Sequence, residues 1–449
     1  MQHDGKASRI ELFNFSSPQM RAFHMSWIAF FLCFFAWFGI APLMAVVRDE
    51  LQLTKNQVGW CIIGSVAATV FARLVVGWLC DRVGPRITYA GLLILGSLPV
   101  MGIGLAGDFT SFLIFRVLIG VIGASFVVTQ YHTSRMFASN CVGTANAMTA
   151  GWGNLGGGVT QLVMPLLLTL LVGTVGLTAA TSWRVAMLLV GILCAVTGVA
   201  YYLLTQDTPL GNYRDLRGRG RMADAPAAQG TLAEACRDHR VWALFLVYGA
   251  CFGMELTIDN IAALYFLDYF DYFQQIEPAQ ALKLAGLIAA TFGGMNLFMR
   301  AIGGWIADGC GNRWGFGGRV KWLFAVLFGE GICLMLFSQA TALGPAIAAM
   351  LVLALFVKMS NGATFAVVPF INRRALGAVS GIVGAGGNAG AVLLGFLFKN
   401  EALDWRAALL IAGAAVTSIA FVSLSINERE AMDLPMGAEG PASELVPVA

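Results

Sequence analysis

Polar residues along this chain fall in short breaks between long apolar runs. Twelve runs stand out, near 24–47, 58–79, 87–107, 110–134, 141–172, 182–204, 241–267, 283–306, 319–338, 343–369, 377–398 and 405–426. Each is long enough for a helix that crosses a bilayer, which takes about 20 apolar residues. Backbone groups that face lipid must be satisfied inside their own helix, so the runs predict an all-α membrane protein. The polar stretch 205–240 splits the runs into six and six. The pattern therefore predicts an N-terminal segment (1–23), a six-helix bundle (24–204), a linker (205–240), a second six-helix bundle (241–427) and a polar tail (428–449).

Composition agrees. The 449 residues are 58% hydrophobic and 12% charged, with a mean hydropathy of +0.74. A soluble domain of this size carries about twice that charge. The net charge of +3 is dispersed and does not form a nucleic-acid patch. The nine cysteines are scattered, without CxxC or metal-ligand spacing, and read as small packing residues. No metal or cofactor is expected. The first 20 residues are polar and lack a signal-peptide layout. Arginines and lysines favour one set of loops, including Arg82, Arg86, Arg135, Arg313, Arg319 and Lys321 and six arginines of the linker. That bias predicts both termini in the cytoplasm, in an inner (cytoplasmic) membrane.

The two halves repeat. Arg73-x-x-x-Gly77-Trp78-x-x-Asp81 in the second run matches Arg300-x-x-x-Gly304-Trp305-x-x-Asp308 in the eighth. Gly153-Asn154 with Gly156 matches Gly387-Asn388 with Gly390, and Trp183-Arg184 matches Trp405-Arg406. A cation at membrane depth costs several kcal/mol. Two of them at matching points of a repeat predict a central anion site between the halves. Arg73 lies two turns, roughly 12 Å, deeper than Asp81, which makes snorkelling awkward. Helix pairing remains the bland alternative for each arginine.

The loop Gly77-x-x-x-Asp81-Arg82-x-Gly84-x-Arg86 resembles the signature of the major facilitator superfamily, with a weaker copy at Gly304, Asp308, Gly311 and Arg313. That resemblance implies a twelve-helix fold of two pseudo-symmetric six-helix bundles. It also implies that Asp81, Arg82, Arg86 and Asp308 act in gating and not in binding substrate. The stretches 150–158 and 381–391 are glycine-rich and each holds a buried Asn. They resemble the signatures of the nitrate/nitrite porter family, and 255–260 and 367–374 look most like its plant, algal and cyanobacterial uptake branch. Tight helix packing alone explains the small residues but not the paired Asn residues.

The resemblance implies transport of nitrate, and of nitrite, by alternating access. It places Arg73 and Arg300 on the anion, Tyr248, Phe252 and Phe126 as flat walls, Asn154 as an amide donor and Asn388 as its mirror. Gly151, Gly153, Gly386 and Gly387 are the expected points of close approach and rocking. The residue chemistry fits independently, because a guanidinium fork is planar, stays charged when buried and matches a flat monovalent anion. Filler is the bland reading of the aromatic residues, since the chain has 31 phenylalanines.

A site with two cations and one monoanion keeps a net positive charge. Exchange avoids an empty return, whereas symport needs an acid. Glu255, Asp259 and His132 are the expected proton-coupling candidates. Packing roles are the alternatives, with Asp259 and Asn260 capping or kinking the outer end of their span. Glu330 is expected to pair within the bundle. Lys358 departs from the family pattern and is expected either to pair with an acid such as Glu330 or to add a third charge.

No Ser-His-Asp pattern, HExxH or Walker loop occurs, so ion or substrate gradients are the expected driving force, and an enzyme is not expected. Proton-coupled uptake by a monomer is the preferred reading, and nitrate/nitrite exchange is the alternative. Small-carboxylate exchange leaves the glycine-Asn stretches unexplained. A non-transporting nitrate sensor lacks an output region.

Overall fold

The computed structural model describes residues 5–138, 142–218, 232–372 and 376–426. The tail expected at 428–449, Arg373, Arg374 and Cys141 lie outside the described residues. Among the described residues, eleven helical stretches are long and apolar enough to cross a membrane. One of them, Pro278–Gln339, makes two crossings. Its helix breaks at Trp314 and Gly315, where Gly315 has φ 66°, a left-handed value that glycine takes without strain. The chain then turns back, so that Trp322 donates to the Gly303 carbonyl at 3.0 Å. On a straight helix those residues would stand roughly 28 Å apart. The stretch thus supplies the eighth and ninth spans, and the total is twelve, as the hydropathy pattern predicts.

The first span starts at Pro18, six residues before the apolar run, because Ser17 caps it by accepting from the Met20 amide at 3.1 Å. Within the N-terminal segment, Ala7 bridges to the end of the fourth span. Its amide donates to the Met136 carbonyl at 3.0 Å and its carbonyl accepts from Ala138 at 2.9 Å. The linker carries short helices at Tyr213–Gly218 and Leu232–Arg237.

Lipid-facing positions carry large exposed apolar side chains, such as Leu95, Leu203, Trp305 and Leu393. With no hydrophobic drive between helices in lipid, close van der Waals approach must hold the bundle. The glycine stretches supply it. A Cβ at Gly156 would lie 2.1 Å from the Phe31 carbonyl oxygen, and one at Gly153 would lie inside the Phe30 ring. A Cβ at Gly390 would meet the Gly249 carbonyl oxygen at 2.0 Å. These glycines bind the fifth span to the first and the eleventh to the seventh.

Contacts between the halves start at the end away from the linker. Arg48 Nη1 pairs with Asp268 at 2.6 Å, Lys55 donates to the Asn400 and Leu403 carbonyls, and Gly59 packs under Lys399. Deeper, Gly158 of the fifth span lies against Gly293 of the eighth, backbone on backbone. Arg116, buried in the fourth span, adds a cross-half bond to Asn260 Oδ1 at 3.3 Å.

Candidate functional site

Arg73 occupies the middle of the helix Lys55–Val83 and is 6% exposed. Arg300 follows a short 3-10 turn, Met295–Leu297, in the eighth span and is 9% exposed. Neither reaches a lipid headgroup. Both converge on one ring of the seventh span, His239–Tyr269. The guanidinium carbon of Arg73 stands 5.9 Å from the Phe252 centroid and that of Arg300 stands 5.7 Å away. Tyr248 stacks on Phe252 at 5.0 Å with an interplanar angle of 4°. Phe126 flanks Arg73 at 5.6 Å.

The sequence reading did not find Phe365. Its ring meets Tyr248 edge-on at 5.0 Å and Phe126 at 6.1 Å, so it joins the aromatic walls of the two halves. It lies eight residues before Arg373, among many phenylalanines, and nothing local marks it.

Arg73 is held from the opposite half. Its Nη1 donates to the Gly384 carbonyl at 2.6 Å. With its amide oxygen toward the guanidinium, Asn388 accepts from Nε at 3.2 Å and Nη1 at 2.9 Å. Asn388 thus orients Arg73. Asn154 differs, because neither amide atom has a partner among the described residues although the side chain is 1% exposed. A buried amide left unpaired costs about 1–3 kcal/mol, so this one is free to bind an incoming oxygen. The two copies of the motif therefore have divided the work.

Glu255 has four polar partners, all on other helices. Its Oε1 lies 2.9 Å from Lys358 Nζ and accepts from Asn296 Nδ2 at 2.9 Å. Its Oε2 lies 3.2 Å from Arg300 Nη2 and accepts from Asn361 Nδ2 at 2.6 Å. Lys358 therefore pairs with Glu255, 103 residues away, and not with Glu330. Glu330 forms no ion pair among the described residues, and the Ser360 hydroxyl of the tenth span is the polar side chain that faces it. Asp259 is 3% exposed, its Oδ1 has no partner among the described residues, and its Oδ2 faces Gly157 of the other half. It sits well inside the helix, not at its end, because the helix runs on to Tyr269. His132 bonds the Tyr201 hydroxyl at 2.5 Å and the Gln206 carbonyl at 2.8 Å, away from the arginines. It is a satisfied packing residue.

Among the expected gating residues, the structure describes the side chains of Arg82, Arg86 and Asp308 and not that of Asp81. Arg82 lies over Trp78 at 4.5 Å. Arg86 donates through Nε to the Tyr202 carbonyl at 2.7 Å. Asp308 pairs with Arg319, at the foot of the ninth span. A latch absent from the sequence reading is Asp207, just past the sixth span. Its carboxylate accepts from the amides of Arg86 and Tyr213, both at 2.9 Å. Burial pushes its carboxyl above the ordinary range, and the two amides and Arg86 oppose that.

Gly84 has φ 92°, and a Cβ there would lie 2.4 Å from an Asp207 oxygen. Gly84→Ala is expected to destabilise the protein by about 1–3 kcal/mol. An unchanged thermal midpoint in detergent would count against the latch. At the expected hinge glycines, a Cβ on Gly386 would strike the Phe245 carbonyl at 2.3 Å and one on Gly387 the Phe252 ring at 2.5 Å. Gly151 faces the Asn296 carbonyl across the halves at 3.3 Å. Gly387 is therefore what lets the aromatic pair lie flat against the eleventh span.

The profile of the Major Facilitator Superfamily matches residues 26–372. The chain is 40% identical to high affinity nitrate transporter 2.5 of Arabidopsis thaliana, over 88% of this chain and 77% of that protein. It is 36% identical to nitrate transporter 2.1 of Chlamydomonas reinhardtii, over 91% and 74%. It is 29% identical to the nitrate/nitrite transporter NrtP of Nostoc punctiforme, over 97% of each. Among solved structures, a bacterial homologue of the human lysosomal transporter Spinster superposes with a TM-score of 0.63 at 15% identity, over 90% of this chain and 93% of that one. That last likeness speaks for the fold alone. The twelve spans, the doubled arginine motif and these matches together place the chain in the Major Facilitator Superfamily, within the family of the plant, algal and cyanobacterial nitrate transporters.

Proposed function

We propose that this chain is a secondary transporter that carries nitrate, and nitrite as a second substrate, across the cytoplasmic membrane by alternating access. It is a transporter and not an enzyme. The observation that carries the reading is the meeting of Arg73 and Arg300, one from each half, at the single ring of Phe252. A flat monoanion between two guanidinium forks offers oxygens to both at once, although the pair keeps one net positive charge. Tyr248 and Phe252 offer a flat face that suits a trigonal anion and fits a tetrahedral one poorly. Asn154 supplies an amide to an oxygen the arginines leave open.

Uptake is coupled to a proton, and Asp259 is the residue that carries it. Its buried, unpartnered oxygen supports this role, as does its place against the fifth span of the other half, where closure of the halves can be sensed. Lys358, Arg300 and Glu255 are the charged groups within electrostatic reach of it. Both termini face the cytoplasm, in keeping with the arginine-rich loops. The working unit is a monomer.

The test is a flux assay with purified protein in liposomes. Nitrate added outside is expected to alkalinise the medium, and Asp259→Asn is expected to abolish that signal. Uptake that ignores pH and requires internal nitrite would replace symport with exchange.

A further inference from the structure

Lys358 remains to be accounted for. It lies in the helix Leu343–Val367, is wholly buried, and stands over the Phe292 ring at 4.2 Å. An ammonium there is expensive without a counter-ion. Glu255 provides one, but Glu255 also serves Arg300. A single carboxylate thus joins two cations of different kinds. Arg300 faces Phe252 and the candidate anion site, while Lys358 is withdrawn behind it.

A carboxylate and a nitrate present a guanidinium with the same thing: a planar edge of two oxygens and one negative charge. Both compete for the Arg300 fork. The contact of Glu255 to Arg300 is 3.2 Å, longer than the 2.9 Å to Lys358. Arg300 also has its Nε without a partner among the described residues. Arg300 is therefore the partner that Glu255 releases at least cost. Lys358, Asn296 and Asn361 keep three contacts on the carboxylate when it is displaced.

We propose that Glu255 is an internal stand-in for the transported anion. In the empty carrier it neutralises Arg300. When the anion arrives, Glu255 gives up Arg300 and stays with Lys358. This rests on the nitrate reading above and extends it to the return step. A carrier with two bare guanidiniums would resist closing around an empty site, because each buried unpaired charge costs several kcal/mol. The other acids within electrostatic reach of this cluster are Asp259 on the same helix and Glu330 on the ninth span.

A purely structural brace and an internal anion differ in the signs they predict. If the pair only braces the bundle, Glu255→Gln and Lys358→Met both weaken nitrate binding. If Glu255 competes with nitrate, the two act in opposite directions. Glu255→Gln frees Arg300 and is expected to tighten nitrate binding about tenfold. Lys358→Met leaves Glu255 with Arg300 alone and is expected to weaken it about tenfold. The double variant is expected to fall between them.

Nitrate dissociation constants are measured by titration of purified full-length protein in detergent. Flux is measured two ways in liposomes: net uptake into nitrate-free vesicles and exchange into nitrate-loaded ones. Glu255→Gln is expected to lower the ratio of net uptake to exchange by about tenfold, since only the empty return is impaired. Weaker binding in Glu255→Gln, or an unchanged ratio, overturns the proposal. Should Lys358→Met fail to fold, Glu255→Gln decides alone, because Gln keeps the shape. A wild-type protein that binds no nitrate would instead overturn the substrate reading.

Discussion

Arg73→Lys is expected to lower nitrate flux by about 100-fold or more in a protein that still folds, a loss of about 3 kcal/mol or more. Charge is conserved in this substitution, so any loss measures geometry. The arginine does several things at once: Nη1 is anchored on the Gly384 carbonyl, Nε and Nη1 hold Asn388, and the flat cation lies beside Phe126 and Phe252. Its Nη2 edge has no partner among the described residues, and the proposed anion would bind there. An ammonium is a point charge with three donors and a strong hydration shell, and it cannot span those partners while facing a flat ion. If Arg73 served only to pair helices, lysine would substitute well. Wild-type flux in Arg73→Lys, with an unchanged thermal midpoint, therefore removes Arg73 from the site. Arg300→Lys is expected to lose flux as well, from the other half.

Gly158→Val is expected to abolish transport by preventing closure of the end away from the linker. A Cβ at Gly158 would lie 2.6 Å from two backbone atoms of Gly293, and one at Gly293 would lie 2.1 Å from Gly158 Cα. Backbone cannot rotate aside as a side chain can, so overpacking costs about 1–3 kcal/mol or more. The clash lies between the halves and not inside either one. Each bundle can therefore fold, while the arrangement that joins them becomes about 100-fold rarer at the upper end of that range. The readout is an engineered crosslink. Arg48 and Asp268, whose side chains pair at 2.6 Å across the halves, are replaced by cysteines and joined by a short bifunctional thiol reagent, which makes up the length that the arginine side chain spans. Crosslinking is expected to be efficient with glycine at position 158 and to fall together with nitrate flux when valine is there. Full crosslinking and normal flux in the valine variant would refute the role of this contact in gating.

Gly158 and Gly390 show how far a sequence goes. Their clustering was visible, and so was the general reason, close helix approach in lipid. Which glycine meets which helix was not. Gly390 meets Gly249 within one half, and Gly158 meets Gly293 across both, yet their local sequences look alike. The Asn pair teaches the same lesson. Asn154 and Asn388 hold equivalent positions in the repeat, but Asn388 is spent on orienting Arg73 while Asn154 is unpaired among the described residues. A repeat predicts equivalent places and does not predict equivalent partners, because partners come from other helices, in the same half or the opposite one.

The buried charges divide along similar lines. Arg73 and Arg300 were legible because a cation in an apolar run is rare and each carries a motif in register. Arg116 stood in such a run too, but without a repeated copy it drew no notice; the structure gives it the Trp37 carbonyl at 3.1 Å and Asn260. Lys358 was legible as an anomaly, and its partner was not. The nearest acid by the plain reading was Glu330, yet helix rotation turns Lys358 toward Glu255. Asp207 lay in a linker whose composition reads as solvated, and only the fold shows it under the loop of Gly84 and Arg86.

By itself, the sequence determined the number of crossings, the division into two halves, the depth of the two central arginines and the kind of ion they suit. These follow from local physics: apolar length, the cost of buried charge, and the spacing of a repeat. Only the tertiary structure decided that both guanidiniums share Phe252, that Asn154 and not Asn388 is free, that Glu255 bridges Arg300 to Lys358, and that Phe365 joins the walls. Those are contacts between side chains on different helices. They depend on how each helix is rotated and offset against its neighbours, which hydropathy leaves undetermined.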